Sequence, residues 1–418
     1  MRRALPFLVA AALGAGMAGP AVGTGADEVL GDPRGGVLAG RKIGLITNRS
    51  AVDAAGLPVV DRLARHPGLT LAAILAPEHG FFADRQGHIG DAADPASGVP
   101  VYSLYGKTMR PTPEMLAGLD TLVFDIQDVG ARFYTFIATM RYAMEAARDA
   151  KLRFVVLDRP NPIGGETLEG GVLDPAFRSF TGPWEIPVRH GMTVGELARL
   201  FNKGIGAELA VVPMRGWRRS QWFDQTGLPW AKPSPAMVGL RTATLYPGLC
   251  FFEASNVECR VGEFPFERIA APWLDGAGVA ADLQAADLPG VAIRSARIDP
   301  AEPNPYSFRD QAWWLGFSAL APAGGPAEAA GRHTAVSFEV TDRAAFRPVR
   351  TAIAALAAIR KRHGDQLTLE PKGFDRLAGT DRVRKDLLGG VAADRIMSVW
   401  EASLPQFARD RRPFLLYE

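Results

Sequence analysis

The chain has 418 residues, of which 47% are hydrophobic and 22% charged, and its formal net charge is +2. This length exceeds what a single hydrophobic core usually serves, so two domains are expected, and the hydrophobic content excludes an intrinsically disordered chain. The near-neutral charge excludes a strong electrostatic attraction to nucleic acid, so we predict no nucleic-acid partner.

Residues 1–23 have the three parts of a secretory signal: Arg2 and Arg3, an apolar run over 4–18, and small residues over 21–23. We therefore predict a signal peptide and an exported protein, either periplasmic or secreted. Removal of the signal peptide changes the formal net charge of the chain from +2 to 0. No cysteine lies near the cleavage region and no later apolar stretch is long enough to span a bilayer, so no membrane anchor is predicted in the mature form. The alternative is a short buried helix.

The next segment, 24–215, alternates apolar runs of strand length with longer helical patterns. Such alternation is typical of βαβ units and predicts a Rossmann-like domain with a parallel sheet. Thr193, followed three residues later by Glu196, has the pattern of a helix capping box. The predicted strands are 42–47, Thr70–Ala76, 121–126, Arg153–Leu157 and Glu208–Val212, and the predicted helices are 57–65, 134–150 and 193–202.

Residues 216–418 have a different pattern. The part from 217 to 273 is rich in Pro, Trp and Phe and predicts long loops that bridge two domains and line a cleft. The alternative is that its aromatic side chains simply pack. Strand patterns at 291–294 and 335–340 and helix patterns at 346–363 and 392–408 then predict a smaller mixed α/β domain. The two cysteines, Cys250 and Cys259, fit a disulfide in an oxidising compartment and packed thiols equally well.

Polar residues follow the carboxyl ends of the predicted strands, where the loops of a parallel sheet converge. Acids, amides, arginines and an imidazole together suit sugar hydroxyls and acid–base chemistry better than a cofactor, so no cofactor is predicted. The candidates are Asn48, Glu78, His79, Asp125, Gln127, Asp128, Arg132, Tyr134, Arg159, Asn161 and His190.

Hydrolysis of a glycosidic bond usually needs two carboxyl groups, one of which protonates the leaving oxygen. Glu78 is the first candidate for that acid, because apolar neighbours such as Pro77 and Phe81 favour a protonated carboxyl. The alternative is a structural glutamate that caps a helix or pairs with Arg132.

Two further pairs keep both a functional and a structural interpretation. Of Asp125 and Asp128, at least one is expected to face the cleft while the other holds its loop. Arg132 and Tyr134 fit a sugar that carries a carboxylate, although an arginine is also a common loop clamp.

Other enzyme classes have weaker support in the sequence. His79 and His88 with Asp84 or Asp91 match no recognised metal-ligand spacing, so we predict no metal site. No Gly-x-Ser-x-Gly elbow is present, and Val101 replaces the first glycine that a phosphate-binding loop would need. These patterns disfavour a serine hydrolase and a nucleotide-binding protein.

Several blocks of this sequence resemble the NamZ-type exo-β-N-acetylmuramidases, and they extend over nearly all of the predicted mature chain. In the first half they are LITN at 45–48, PEHGF at 77–81, FDIQDVGARFYT at 124–135 and LDRPNP at 157–162. In the second half they are YPG at 246–248, FE at 266–267, APW at 271–273, FDRLAGT at 374–380 and LLY at 415–417.

The resemblance implies a glycoside hydrolase with a Rossmann-like N-terminal domain and a smaller C-terminal domain. Its expected action is release of N-acetylmuramic acid (MurNAc) from the non-reducing end of peptide-free peptidoglycan fragments, with MurNAc-GlcNAc saccharides as partners. Glu78 is implied as the catalytic acid, and we add His79 and Asp128 to the predicted catalytic set. The second catalytic group stays open among Asp125, Asp128, Tyr134 and His190.

One segment departs from the family pattern. Where the family often has Glu-Gly-Thr-Asn and then a Gly-Arg-Gly-Thr-like run, this chain has EASNVECRVG at 253–262. We expect Glu253 and Asn256 to contact substrate, and the altered run to change affinity or the accepted aglycone. MurNAc carries a lactyl carboxylate that GlcNAc lacks, and Arg132 or Arg159 is expected to bind it. The alternatives are a non-catalytic muropeptide-binding protein and a metal-dependent deacetylase or esterase.

Overall fold

The computed structural model describes residues 22–298, apart from 86 and 88, and residues 333–418. Residues 1–21 of the predicted signal, which was expected over 1–23, and the candidate residue His88 lie outside the described residues. Among the described helices, none combines the length and the apolar character needed to cross a membrane.

A seven-stranded sheet forms the centre of the first half of the chain. Its strand order is β3-β4-β2-β1-β5-β6-β7, and every neighbouring pair is parallel except β3 and β4. This mostly parallel sheet confirms the predicted α/β class, although the sequence did not predict the two strands at one edge. The strands are β1 (Lys42–Ile46), β2 (Thr70–Ala76), β3 (Ala92–Ala93), β4 (Pro100–Ser103), β5 (Thr121–Phe124), β6 (Arg153–Leu157) and β7 (Glu208–Val212).

Helices accompany this sheet, and their ends follow local sequence signals. Thr193 accepts a hydrogen bond from the Glu196 backbone and Glu196 accepts one from the Thr193 backbone, which confirms the predicted capping box. Gly206 ends the same helix in the left-handed region, where glycine has no steric penalty. The helices are α1 (Gly25–Gly31), α2 (Val59–Ala64), α3 (Pro113–Leu116), α4 (Phe136–Asp149) and α5 (Val194–Ile205).

The region from 217 to 273 is more regular than predicted. It contains helix α6 (Leu240–Leu249), which continues into a 3-10 turn at Cys250–Ala254, so the prediction of long loops alone was wrong. Pro247 lies inside α6, and its presence hides the helical pattern in the sequence. Cys250 and Cys259 are both buried free thiols, not a disulfide.

A second, antiparallel sheet and several helices form the rest of the chain. The strand order is β8-β10-β9, with β8 (Arg268–Ala270), β9 (Val291–Ile298) and β10 (His333–Val340). The predicted helix over 392–408 is two helices, because Pro405 in the first turn of the second cannot continue the backbone ladder of the first. The helices are α7 (Gly276–Ala285), α8 (Pro348–His363), α9 (Pro371–Ala378), α10 (Arg382–Leu388), α11 (Ala393–Trp400) and α12 (Leu404–Asp410).

Apolar side chains from both halves of the chain belong to one buried core. Phe133, just before α4, contacts Tyr246 of α6 and Phe251 of the following turn, with ring centroids 5.4 and 5.8 Å apart. Phe251 in turn contacts Phe374 of α9, at 5.6 Å. This continuous packing holds α6 and α9 against the carboxyl edge of the large sheet.

Candidate active site

A cavity of about 230 Å³ lies where the loop after β2 and the start of α4 meet α6, the turn after it, and α9. Aromatic side chains form much of its wall, including Phe133, Phe180 and Phe266. Its ionisable and hydroxyl-bearing side chains are Glu78, His79, Tyr134, Thr135, Ser179, Thr181, Ser234, Tyr246, Cys250, Glu253, Arg260 and Arg376. An apolar wall with a few convergent polar groups is the usual form of a small-molecule site.

Glu78 is buried and has two hydroxyl partners. The Thr135 hydroxyl donates a hydrogen bond to Glu78 Oε2, and the Tyr105 side chain also interacts with Glu78. Thr135 is the N-cap of α4 but makes no capping bond with its side chain, so its hydroxyl serves Glu78 and not the helix. Burial, and then the nearby Glu78, raise the pKa of Tyr105, which keeps its hydroxyl protonated.

The backbone after Glu78 has an unusual conformation. His79 has φ of 70° and Gly80 has φ of 72°, both in the left-handed region. A Cβ on Gly80 would lie 2.7 Å from Ile89 Cδ1, so glycine is required there, whereas the strained His79 costs about 1 kcal/mol or more. Strain of this kind is commonly retained at functional sites.

The His79 ring has a defined tautomer. Its Nδ1 donates to the Arg85 carbonyl at 2.9 Å, which leaves Nε2 as the ring acceptor. Burial lowers the pKa of His79, although the nearby Glu78 opposes this effect. A neutral imidazole with an accepting Nε2 can take a proton from water or from a sugar hydroxyl.

Tyr134 contributes an aromatic ring and a protonated hydroxyl to the cavity. Its ring lies 4.7 Å from that of Phe136 and 5.9 Å from that of Tyr246. Burial raises the pKa of Tyr134 well above its ordinary value, the Ser234 hydroxyl opposes the rise, and the charges of Asp128 and Glu78 add to it. The hydroxyl is therefore a donor at neutral pH.

The segment that diverges from the family pattern forms one side of the cavity. Arg260 Nε and Nη2 lie 2.7 and 2.5 Å from Glu253 Oε1, and the Cys250 thiol donates to Glu253 Oε2 at 3.6 Å. Burial raises the pKa of Glu253, and the Arg260 charge opposes that rise. Asn256 does not line the cavity; its amide binds the Gln366 carbonyl at 2.7 Å and the Thr368 N–H at 3.0 Å.

Asp128 and His190 form a buried pair beside the cavity. His190 Nδ1 accepts the Met192 N–H at 3.2 Å, so Nε2 carries the proton and lies 3.7 Å from Asp128 Oδ2. Asp128 Oδ2 also accepts the Gly130 N–H at 2.7 Å, whereas Asp128 Oδ1 has no hydrogen-bond partner among the described residues. Neither side chain lines the cavity, but the charge of Asp128 acts on Tyr134.

The two arginines expected to bind a lactyl carboxylate bind protein groups outside the cavity instead. Arg159 pairs with the buried Asp125, with Nε 2.5 Å from Oδ1 and Nη2 3.0 Å from Oδ2. The fully buried Arg132 donates to the carbonyls of Gly171, Ile186 and Leu377 at 2.7–2.9 Å. Burial lowers the pKa of Arg132 to about 9. Neither guanidinium lines the cavity, because both complete the hydrogen bonding of buried groups.

Besides Asn256, three other predicted amides are occupied in holding loops. Asn48 Nδ2 donates to the Pro233 carbonyl at 3.3 Å, and Gln127 Nε2 donates to the carbonyls of Asp128 and Pro160 at 2.7 and 2.8 Å. Asn161 Nδ2 donates to the Met192 carbonyl at 3.0 Å. None of these side chains lines the cavity.

Of the predicted residues, the structure thus brings together Glu78, His79, Tyr134 and Glu253. The sequence did not single out Tyr105, Thr135, Arg260 or Arg376. Thr135 and Arg376 lie within the family-like blocks at 124–135 and 374–380, so a signal for them was present, but nothing marks Tyr105. Within the described residues, no three His, Cys, Asp or Glu side chains are grouped as metal ligands would be.

A buried glutamate in an aromatic-walled cavity at the carboxyl edge of a parallel sheet defines an α/β enzyme for acid–base chemistry on a polar substrate. Residues 43–241 match the family model for the N-terminal part of exo-β-N-acetylmuramidase NamZ, and 244–417 match the model for its C-terminal part. The chain therefore belongs to the NamZ exo-β-N-acetylmuramidase family and is a glycoside hydrolase.

Individual relatives support this membership. The peptidoglycan β-N-acetylmuramidase NamZ of Bacillus subtilis strain 168 is 41% identical over 404 residues, which cover 95% of this chain and 92% of that protein. Crystal structures of two DUF1343 family proteins from Bacteroides fragilis superpose with TM-scores of 0.82 and 0.70 at 32% and 26% identity. Each superposition covers 95% of this chain and 99% of the B. fragilis chain.

Proposed function

We propose that this protein releases terminal non-reducing MurNAc from peptide-free peptidoglycan fragments, with Glu78 as the general acid. The observation that carries the proposal is the position of Glu78, buried at the cavity wall with the Thr135 and Tyr105 side chains as partners. Family membership supports the class of reaction, and the name of the B. subtilis relative supports the sugar.

The partners of Glu78 suit a group that gives up and regains a proton. A threonine hydroxyl rotates freely, so it can donate to an ionised carboxylate and accept from a protonated carboxyl. Both states of Glu78 therefore keep a hydrogen bond to Thr135, and protonated Glu78 can transfer its proton to the leaving oxygen.

His79 is the side chain that we propose to receive a proton from the attacking water. It follows Glu78 directly, lines the cavity, and keeps Nε2 as its ring acceptor. Asp128 is proposed as a positioning residue, because its charge acts on Tyr134 and it lies beside His190 without reaching the cavity. Glu253, with Arg260, is proposed to bind sugar hydroxyls.

Export is part of the proposal, since peptidoglycan lies outside the cytoplasmic membrane. The Val22 N–H donates to the Thr226 carbonyl at 3.1 Å, and Gly23 exchanges backbone hydrogen bonds with Arg215 at 3.0 and 2.8 Å. Cleavage after Ala21, a small residue, would keep these bonds, whereas cleavage after Gly23 would remove them. We therefore expect N-terminal sequencing of the exported protein to begin at or before Val22.

The testing experiment supplies purified protein with chromogenic β-MurNAc and β-GlcNAc glycosides, with and without EDTA. Release of the aglycone from the MurNAc glycoside alone, unchanged by EDTA, is the expected result. Loss of turnover with EDTA would support a metal-dependent enzyme, and acetate release without aglycone would support a deacetylase. Binding of a MurNAc-GlcNAc disaccharide without any product would support a non-catalytic binding protein.

A further inference from the structure

We propose that Arg376 binds the lactyl carboxylate of MurNAc and so determines the preference for MurNAc over GlcNAc. The inference rests on the proposed function, because it names the group that recognises the sugar in the same cavity. The carboxylate is the only charged group that distinguishes the two sugars, and an arginine without another ion-pair partner in the cavity is the side chain best suited to bind it.

The other arginines near the site are already engaged. Arg132 binds three backbone carbonyls and Arg159 binds Asp125, both away from the cavity. Arg260 lines the cavity but makes a close ion pair with Glu253. Arg376 lines the cavity, is exposed, and forms no ion pair within the described part of the chain.

Helix α9 presents Arg376 to the cavity in a defined direction. Gly373, Arg376 and Leu377 all line the cavity, and their spacing of three and four residues places them on one helical face. Glu370 caps the start of α9 through the backbone N–H groups of Lys372 and Gly373. The position of the arginine is therefore set by a capped helix.

The acidic neighbour of Arg376 in sequence does not neutralise it. Asp375 Oδ1 and Oδ2 each accept a hydrogen bond from Arg384, at 2.8 Å. This bidentate pair satisfies Asp375 and holds α9 to the start of the following helix α10. The Arg376 guanidinium keeps its planar set of donors for a carboxylate in the cavity, the geometry in which arginine binds such a group with two parallel hydrogen bonds.

The experiment compares native protein with Arg376→Gln, Arg376→Lys and the control Lys372→Gln. Lys372 is exposed on the same helix but does not line the cavity, so its loss changes the net charge equally. The substrates are a chromogenic β-MurNAc glycoside and its lactyl carboxamide, which has the same shape without the charge. Binding of free MurNAc and of free GlcNAc is measured in parallel by calorimetry.

Arg376→Gln is expected to lower kcat/KM for the MurNAc glycoside by about 10- to 100-fold, mostly through KM, and to weaken MurNAc binding similarly. Turnover of the carboxamide and binding of GlcNAc should change little, Arg376→Lys should recover part of the loss, and Lys372→Gln should match native protein. Native-like MurNAc turnover and binding in Arg376→Gln would overturn the inference. If native protein binds MurNAc but hydrolyses neither glycoside, the proposed function fails, and calorimetry alone still decides the role of Arg376.

Discussion

Two groups of polar residues follow the strands of the large sheet, and the structure gives them different surroundings. Glu78, His79 and Tyr134 line the cavity. The second group is buried and consists of the Asp125–Arg159 ion pair and of Arg132, which donates to backbone carbonyls. Both groups come from the carboxyl ends of parallel strands, so position along the sheet does not distinguish them.

The difference lies in what the second half of the chain places over each group. The carbonyl of Leu377 in α9 receives a hydrogen bond from Arg132 and so closes that side, whereas Gly373 and Arg376 of the same helix border the cavity. One helix thus completes a structural cluster and also forms part of the site. Changes in the first group should therefore affect turnover, and changes in the second group should affect stability.

The largest expected effect is on turnover. Glu78→Gln should lower kcat by about 10³-fold, because the amide cannot deliver a proton, while it retains an oxygen that accepts from Thr135. Steady-state kinetics with the MurNAc glycoside and a thermal melt measure the two properties. Glu114→Gln, an exposed change on α3, is the matched control. Undiminished turnover in Glu78→Gln would remove this residue from the mechanism.

The next effect is on stability. Asp125→Asn should lower the free energy of unfolding by about 3–5 kcal/mol, because it leaves the buried Arg159 guanidinium without its counter-charge. Urea unfolding measures the loss, and kcat per folded molecule should stay within about twofold of native, since Asp125 does not line the cavity. A large fall in kcat at unchanged stability would instead place Asp125 in the chemistry.

A smaller effect concerns pH and the contact between the two halves. Glu169 Oε1 accepts the Arg350 N–H in the first turn of α8 at 2.8 Å. Burial raises the pKa of Glu169 from 4.5 to about 7; the Arg350 N–H and Arg189 oppose the rise, and Glu401 adds to it. The folded protein therefore holds this proton more tightly than the unfolded chain, and stability falls as pH rises from about 4.5 to about 7.

The protonation of Glu169 contributes about 3 kcal/mol to the free energy of unfolding. This stabilisation is fully present below pH 4.5 and is lost above pH 7. Glu169→Gln keeps the acceptor for Arg350 but does not titrate, so its stability relative to native should increase with pH across that range. Urea unfolding of both proteins at pH 5, 6, 7 and 8 measures this difference. Other titrating groups, such as Asp158, contribute equally to the pH dependence of both proteins, so their contributions cancel in the difference. A difference independent of pH would contradict the assignment.

The smallest expected effect tests the hydroxyl beside Glu78. Thr135→Val should lower kcat by about tenfold and change stability by less than about 1 kcal/mol, because the Thr135 hydroxyl makes no helix cap. Thr112→Val is the contrasting control. The Thr112 side chain caps α3, so its loss should reduce stability and leave kcat unchanged. Equal kcat in both variants would show that the Thr135 contact is structural.

The sequence by itself determined the α/β class, five of the seven strands of the large sheet and the capping box of α5, because hydrophobic period and cap chemistry are local properties. It also predicted Glu78 and His79 as site residues through a distinctive local block, and both line the cavity. It did not reveal the two short strands at one side of the sheet, 92–93 and 100–103, or helix α6, whose pattern Pro247 interrupts.

Only the tertiary structure decided which polar residues face the cavity. The sequence does not distinguish Arg132, Arg159 and Arg376, because all three are arginines. In the structure Arg132 binds buried carbonyls, Arg159 binds a buried carboxylate, and Arg376 borders the cavity. The same holds for Asn256, which pairs with the loop at 366–368 and does not line the cavity. The physical reason is that a polar group's role depends on whether distant segments satisfy its hydrogen bonds, and the bond from Arg132 to Leu377 spans 245 residues of sequence.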